Sequence, residues 1–182
     1  MSEFTDNELI ELFRNADMKH YAFNLLVRKY QEKIYFFVRR LVIDHDDADD
    51  VVQNIFIKIY KNLDSFREDS KLFTWLYRIA VNESLSFLKN KRIHCYLSLA
   101  SPEAMMMKAL QEDTHYDGTE IQKRLREAIV KLPKKQQLVF NMRYYDDLSY
   151  AEISDILGTS VGALKASYHI AVKKIEASVT AN

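Results

Sequence analysis

Residues 150–174, YAEISDILGTSVGALKASYHIAVKK, divide at Gly158 into two segments with helical spacing. In the first, Ile153, Ile156 and Leu157 recur on one face, and Ser149 with Glu152 three residues later forms a capping box that starts the helix. Gly158 supplies a left-handed backbone at no steric cost, and Ser160 is placed to cap the second segment. Small Ser154 faces the turn and Leu164 points back into the angle, which is the spacing of a helix-turn-helix. The second helix then exposes Ser167, His169, Lys165, Lys173 and Lys174, groups able to reach phosphates or base edges in a major groove.

The same period extends upstream. A capping box of Thr5 and Glu8 opens a short helix over residues 6–15, and Phe23, Leu26, Val27, Tyr30, Ile34, Phe37, Val38 and Leu41 predict a long helix over 21–42. The acidic run Asp44 to Asp50 reads as N-cap and first-turn acids for a third helix, with Val51, Val52, Ile55, Phe56, Ile59, Tyr60 and Leu63 inward. Residues 64–71 read as a polar loop, and a fourth helix is expected over 72–91. Between 93 and 120 the periodicity fades, and the segment reads as a linker in which Met105 to Met107 are loose hydrophobic filling. Helical spacing returns at Ile121, stops at Pro133 and resumes through Tyr145.

Composition agrees. The 182 residues are 48% apolar and 29% charged, and only three Gly and two Pro punctuate them, too few for the turns of a sandwich or barrel. The expected fold is all-α: two small helical domains, 1–92 and 121–182, joined by a flexible linker over 93–120. No glycine-rich phosphate loop, metalloprotease helix or nucleophile elbow occurs, so neither an enzyme nor a cofactor or metal site is expected. The acidic run lacks the Gly and terminal Glu of a calcium loop. Cys95 stands alone and reads as an inert thiol, which fits a reducing compartment. With no leader and no apolar stretch near the ~20 residues that span a bilayer, a cytoplasmic location is expected.

Net charge is zero, but its distribution is uneven. Residues 1–92 hold 15 basic and 15 acidic side chains, 93–120 hold one against five, and 121–182 hold ten against six. A mildly basic C-terminal block allows DNA binding there. A second candidate is the loop Phe66-Arg-Glu-Asp-Ser-Lys71, where Phe66, Phe73, Trp75 and Tyr77 gather aromatics around Arg67 and Lys71, a combination that stacks and clamps unpaired bases, although an aromatic-rich amphipathic helix taken alone is more often core and Trp75 reads as packed.

In this order, DADDVVQNIFIKIY, FREDSKLFTWLYRIAVN and the stretch from Leu132 to Ile175 resemble the extracytoplasmic-function sigma factors of bacterial RNA polymerase, over about residues 20–175. The resemblance implies that Asp49, Asp50, Gln53, Asn54 and Lys58 meet the clamp coiled coil of core polymerase. It implies that Phe66, Arg67, Asp69, Ser70 and Lys71 form a pocket for a flipped base of the −10 element, with Arg78, Asn82, Lys89, Lys91 and Arg92 along the adjoining backbone. The C-terminal domain would grip the polymerase flap near Leu132 to Tyr145 and read the −35 element through Ser160, Lys165, Ser167, His169, Lys173 and Lys174. An anti-sigma factor is an expected further partner. One departure stands out: Ser167, Ile170 and Val172 occupy positions where such helices usually carry basic residues. The rival reading is an autonomous helix-turn-helix regulator that binds its operator without polymerase.

Overall fold

The computed structural model describes residues 4–97, 101–113 and 118–180, with the side chains of 94–97 and 102–103 outside the description. The Cys95 thiol and the rings of His94 and His115 therefore lie outside the described residues. Among the described residues the chain forms nine α-helices and one 3-10 turn, with no strand. In chain order they are α1 (Asp6–Arg14), α2 (Lys19–Val42), α3 (His45–Asn62), a 3-10 turn (Leu63–Ser65), α4 (Leu72–Leu97), α5 (Pro102–Gln111), α6 (Glu120–Val130), α7 (Lys134–Tyr144), α8 (Tyr150–Leu157) and α9 (Val161–Thr180).

The local signals act as physical caps. Thr5 Oγ1 accepts from the Glu8 amide while the Glu8 carboxylate accepts from the Thr5 amide, and Ser149 with Glu152 repeats the arrangement at α8. Asp44 accepts from the Asp47 amide at 3.0 Å, so the acidic run caps α3. Ile43 turns the corner between α2 and α3 at φ 76°, unusual for a β-branched residue, and its side chain is buried.

α1 to α4 bury Leu9, Phe13, Leu26, Ile34, Phe37, Leu41, Ile55, Ile59 and Leu76 against one another. A smaller cluster of Ala128, Ile129, Leu132, Phe140, Ala171 and Ile175 joins α6, α7 and α9. Leu138, Val139, Met142, Leu148, Ile153, Ile156 and Leu164 of the C-terminal half belong instead to the large N-terminal cluster. The two halves are thus packed face to face, α8 on α4 and α7 on α2.

Two features depart from the sequence reading. α4 continues to Leu97, and the stretch read as a linker contains α5, with Ser101 capping the Ala104 amide and Pro102 in the first turn, where its missing N–H costs nothing. Charged side chains then tie the halves together. Asp113, beyond α5, lies 2.7 Å from Arg39 of α2 and 2.9 Å from Arg126 of α6. Arg40 of α2 pairs with Asp146, and its guanidinium also stacks 4.9 Å over the Tyr145 ring.

Candidate nucleic-acid and polymerase interfaces

The helix-turn-helix has the anticipated geometry. Gly158 adopts φ 62° and ψ 30°, its amide bonds the Ser154 carbonyl, and Ser160 Oγ accepts from the Ala163 amide at 3.4 Å. Leu164 is buried in the angle and Ser154 is half-buried beside it. On α9, Gly162, Lys165, Ala166, His169 and Lys173 are all exposed and share one face at helical spacing, small side chains between basic or imidazole ones. Lys174 is exposed but donates to Gln136 Oε1 at 3.1 Å, and Ser167 is half-buried. Of the departures from an arginine-rich helix, Ile170 is exposed and Val172 packs partly against the small core.

The loop after α3 is held at both ends. Arg14 donates to the Phe66 carbonyl at 3.2 Å and pairs with Glu68 at 2.8 Å, while Lys19 pairs with Asp64 at 2.5 Å. Glu68 itself sits at φ 61°, which makes the turn tight and throws Arg67, Asp69 and Lys71 outward. Phe66 is 6% exposed, and its ring packs against Trp75 at a centroid distance of 5.2 Å, beneath the loop. Nothing local in the sequence distinguishes a packed ring from a stacking surface, since an apolar residue in a polar loop serves either. Glu68 and Arg14, which shape the loop, went unmarked, because a long-range ion pair leaves no periodic signature.

Along α4, Arg78, Asn82, Lys89 and Arg92 lie on one exposed stripe. Lys91 does not join them: helical spacing puts it on the opposite side, where its amine pairs with Asp47 of α3. Arg78 is occupied, its Nε and Nη2 donating to the Asp155 carbonyl of α8 at 2.9 and 2.6 Å. The polar face of α3 is open: Asp49, Asp50, Gln53, Asn54 and Lys58 are all exposed, with Lys58 reaching Glu83 at 2.5 Å. Within the span from Leu132 to Tyr145, by contrast, Leu138, Val139, Phe140 and Met142 are buried, and Tyr144 and Tyr145 are exposed. No group of three or more potential metal ligands occurs among the described residues, and none of their helices is long and apolar enough to cross a membrane.

The described residues thus carry a helix-turn-helix behind a helical unit with an exposed polar helix and a basic stripe. Residues 26–93 match the family Sigma-70 region 2 and residues 122–175 match Sigma-70 region 4. The chain is 37% identical over 188 aligned positions to the ECF RNA polymerase sigma-E factor of Escherichia coli K12, covering 98% of this chain and 97% of that protein. It is 31% identical to the RNA polymerase sigma-H factor of Pseudomonas aeruginosa, covering 91% and 89%. In fold it matches CnrH, solved in complex with the cytosolic domain of CnrY, with a TM-score of 0.70 at 21% identity over 97% of this chain and 98% of that one. It also matches RpoE of Bartonella quintana, solved with the anti-sigma factor NepR, with a TM-score of 0.66 at 19% identity, covering 88% and 98%. The chain belongs to the extracytoplasmic-function sigma factors of the sigma-70 family, and it directs the initiation of transcription.

Proposed function

We propose that this sigma factor binds core RNA polymerase through the polar face of α3 and the region of α7, reads the −35 element with α9, and helps open the −10 element with the loop after α3. The observation that carries this reading is the presence on one chain of two separate cationic surfaces, the Lys165–His169–Lys173 face of α9 and the Arg78–Asn82–Lys89–Arg92 stripe of α4. Ser160 and Ser167 serve α9 by capping and packing, and Lys174 supplements its basic face.

At the −10 element, Arg67, Asp69, Ser70 and Lys71 line the base pocket that Phe66 supports from beneath. Holding a base outside the stack offsets part of the cost of unpairing, a few kcal/mol per flipped nucleotide. The protein changes no bond itself and acts in the cytoplasm, where an anti-sigma factor is its expected antagonist. With Ser167, Ile170 and Val172 in place of bidentate arginines, each worth roughly 1–3 kcal/mol of discrimination, upstream selection leans on backbone contacts and DNA shape.

The test is to add the purified chain to core polymerase and sequence the transcripts that start. Defined starts sharing two elements at fixed spacing support the reading. The neutral chain on its own should bind the same promoters weakly, and tight operator binding without polymerase would identify an autonomous regulator instead.

A further inference from the structure

Glu68 lies in the middle of the loop after α3, in a backbone conformation that its own side chain disfavours. Its φ of 61° falls in the left-handed region, where a Cβ crowds the following carbonyl and glycine is the usual occupant. Such a turn persists in a non-glycine residue only where neighbouring structure holds it. The start of the loop is fixed without Glu68. Ser65 Oγ donates to the Asn62 carbonyl at 2.7 Å, Lys19 pairs with Asp64 and lies 4.8 Å over the Phe13 ring, and the Phe66 ring rests on Trp75. The turn itself is gripped from far earlier in the chain. Arg14 Nη2 donates to the Phe66 carbonyl at 3.2 Å and lies 2.8 Å from Glu68 Oε1, so one guanidinium spans both sides of Arg67.

Arg14 ends α1, and α1 is a firm base for this grip. Leu9, Ile10 and Phe13 are buried on its inner face, and Asp6 in its first turn accepts from the Tyr30 hydroxyl at 2.6 Å and pairs with Lys29 at 2.9 Å. The pair with Glu68 is half in solvent, its side chains 46% and 45% exposed, so screening keeps its contribution to the stability of the fold small. Selecting one arrangement of a short loop takes far less free energy than holding a domain together, and an exposed pair suffices for it. The pair also answers a charge problem. Glu68 stands between Arg67 and Asp69 on a surface proposed to meet a polyanion, and the Arg14 guanidinium neutralises its carboxylate and turns it toward α1.

We propose that Arg14 is a positioning residue for the −10 element: through Glu68 and the Phe66 carbonyl it holds the left-handed turn that presents Arg67, Asp69 and Lys71 to an extruded base, so that α1 sets base preference from outside the loop. The proposal rests on the base-pocket reading given above. Arg14 touches no nucleotide, and its effect reaches the base through the turn. A loop shaped in advance does not have to be ordered by the incoming base, which removes a cost from capture.

The test uses the full chain in complex with core polymerase, on a promoter identified by its transcript starts and carrying each base in turn at every non-template position of the −10 element. Abortive-transcript rates on paired and pre-melted templates give the ratio of best to worst base. Arg14→Gln should reduce that ratio at least about fivefold on both templates, since the preference lies in the pocket and not in the cost of unpairing. Core-polymerase affinity should be unchanged, and the melting temperature by circular dichroism should stay within about 2 °C of wild type, as for an exposed pair. Glycine adopts a left-handed turn with no Cβ penalty, so adding Glu68→Gly to Arg14→Gln should bring the ratio back to within about twofold of wild type. In the free chain, the backbone carbon shifts of Glu68, which report the left-handed turn, should move toward ordinary loop values in Arg14→Gln. A base ratio that survives Arg14→Gln would overturn the proposal. A loss that Glu68→Gly does not restore would overturn it as well and make Arg14 a direct contact, and a loss accompanied by a fall of more than about 6 °C would make Arg14 a support of the fold. If wild type itself shows no base preference, the pocket reading fails. With that preference present, unchanged Glu68 shifts in Arg14→Gln would refute the hold on the turn alone.

Discussion

Replacing Phe66 separates scaffold from contact in the −10 loop. Its ring is 6% exposed, packs against Trp75 at 5.2 Å, and its own carbonyl anchors Arg14. Truncating a buried phenylalanine costs about 3–5 kcal/mol, of which roughly 0.5–1.5 kcal/mol reflects the aromatic pair. For a chain of this size each kcal/mol lowers the melting temperature by about 2–4 °C, so Phe66→Ala at ~4 kcal/mol should melt roughly 8–16 °C lower. Lys71→Ala, at an exposed position, should stay within about 0.5 kcal/mol of wild type in stability. Function should divide the other way. Lys71→Ala should slow open-complex formation on duplex promoters and recover on templates already opened by mismatches. Phe66→Ala, assayed at a temperature where it is folded, should be impaired on both templates, because the loop has lost its floor. Thermal melts by circular dichroism and abortive-transcript rates on the two templates provide the comparison. A Phe66→Ala protein that melts within 2 °C of wild type but is defective on duplex templates alone would refute this and return the ring to base stacking.

Other outcomes follow from single elements. Lys165→Ala with His169→Ala should weaken selection of the upstream element while leaving core-polymerase affinity and melting temperature unchanged, read by promoter competition and a pull-down, since both side chains are exposed on α9. Ser149→Ala removes a reciprocal cap and should cost about 1 kcal/mol, visible as a fall of 2–4 °C in melting temperature. Burial pushes the Asp146 carboxyl up from 3.8 to about 6 despite Arg40 beside it; Tyr77 faces it, and Glu32, Lys33 and Glu152 line the same cleft. Between pH 4 and 6 the folded chain thus holds a proton that the unfolded chain has released, and this group's contribution to stability falls as pH rises through that window. A carboxyl carbon titration by NMR should show a midpoint near 6, and a midpoint near 4 would contradict the burial argument.

Most of the architecture was legible because it is written locally. The capping boxes at Thr5 and Ser149, the acids before α3 and the left-handed Gly158 each act within four residues, and the apolar spacing of α2 and α3 reports their inward faces directly. Even α5 had a local signal in Ser101 and Pro102, masked by the acidic surroundings and by the run of methionines. What lay beyond reach depends on distant partners. Arg40 and Asp146 are 106 residues apart, and Arg78 meets Asp155 across 77, so no period or motif announces that the halves close on one another. The same holds for Phe66, whose burial depends on Trp75 and Arg14, and for Lys91, which Asp47 draws away from the stripe it was expected to join.

The uneven division of apolar side chains has a consequence for the life of the protein in a cell. Among the described residues, the C-terminal half keeps a small core of six buried side chains of its own and shares Leu138, Met142, Ile153 and Leu164 with the N-terminal cluster. Separated from its neighbour and not yet seated on a partner, it exposes part of that shared surface and becomes the segment most open to local unfolding and proteolytic cleavage.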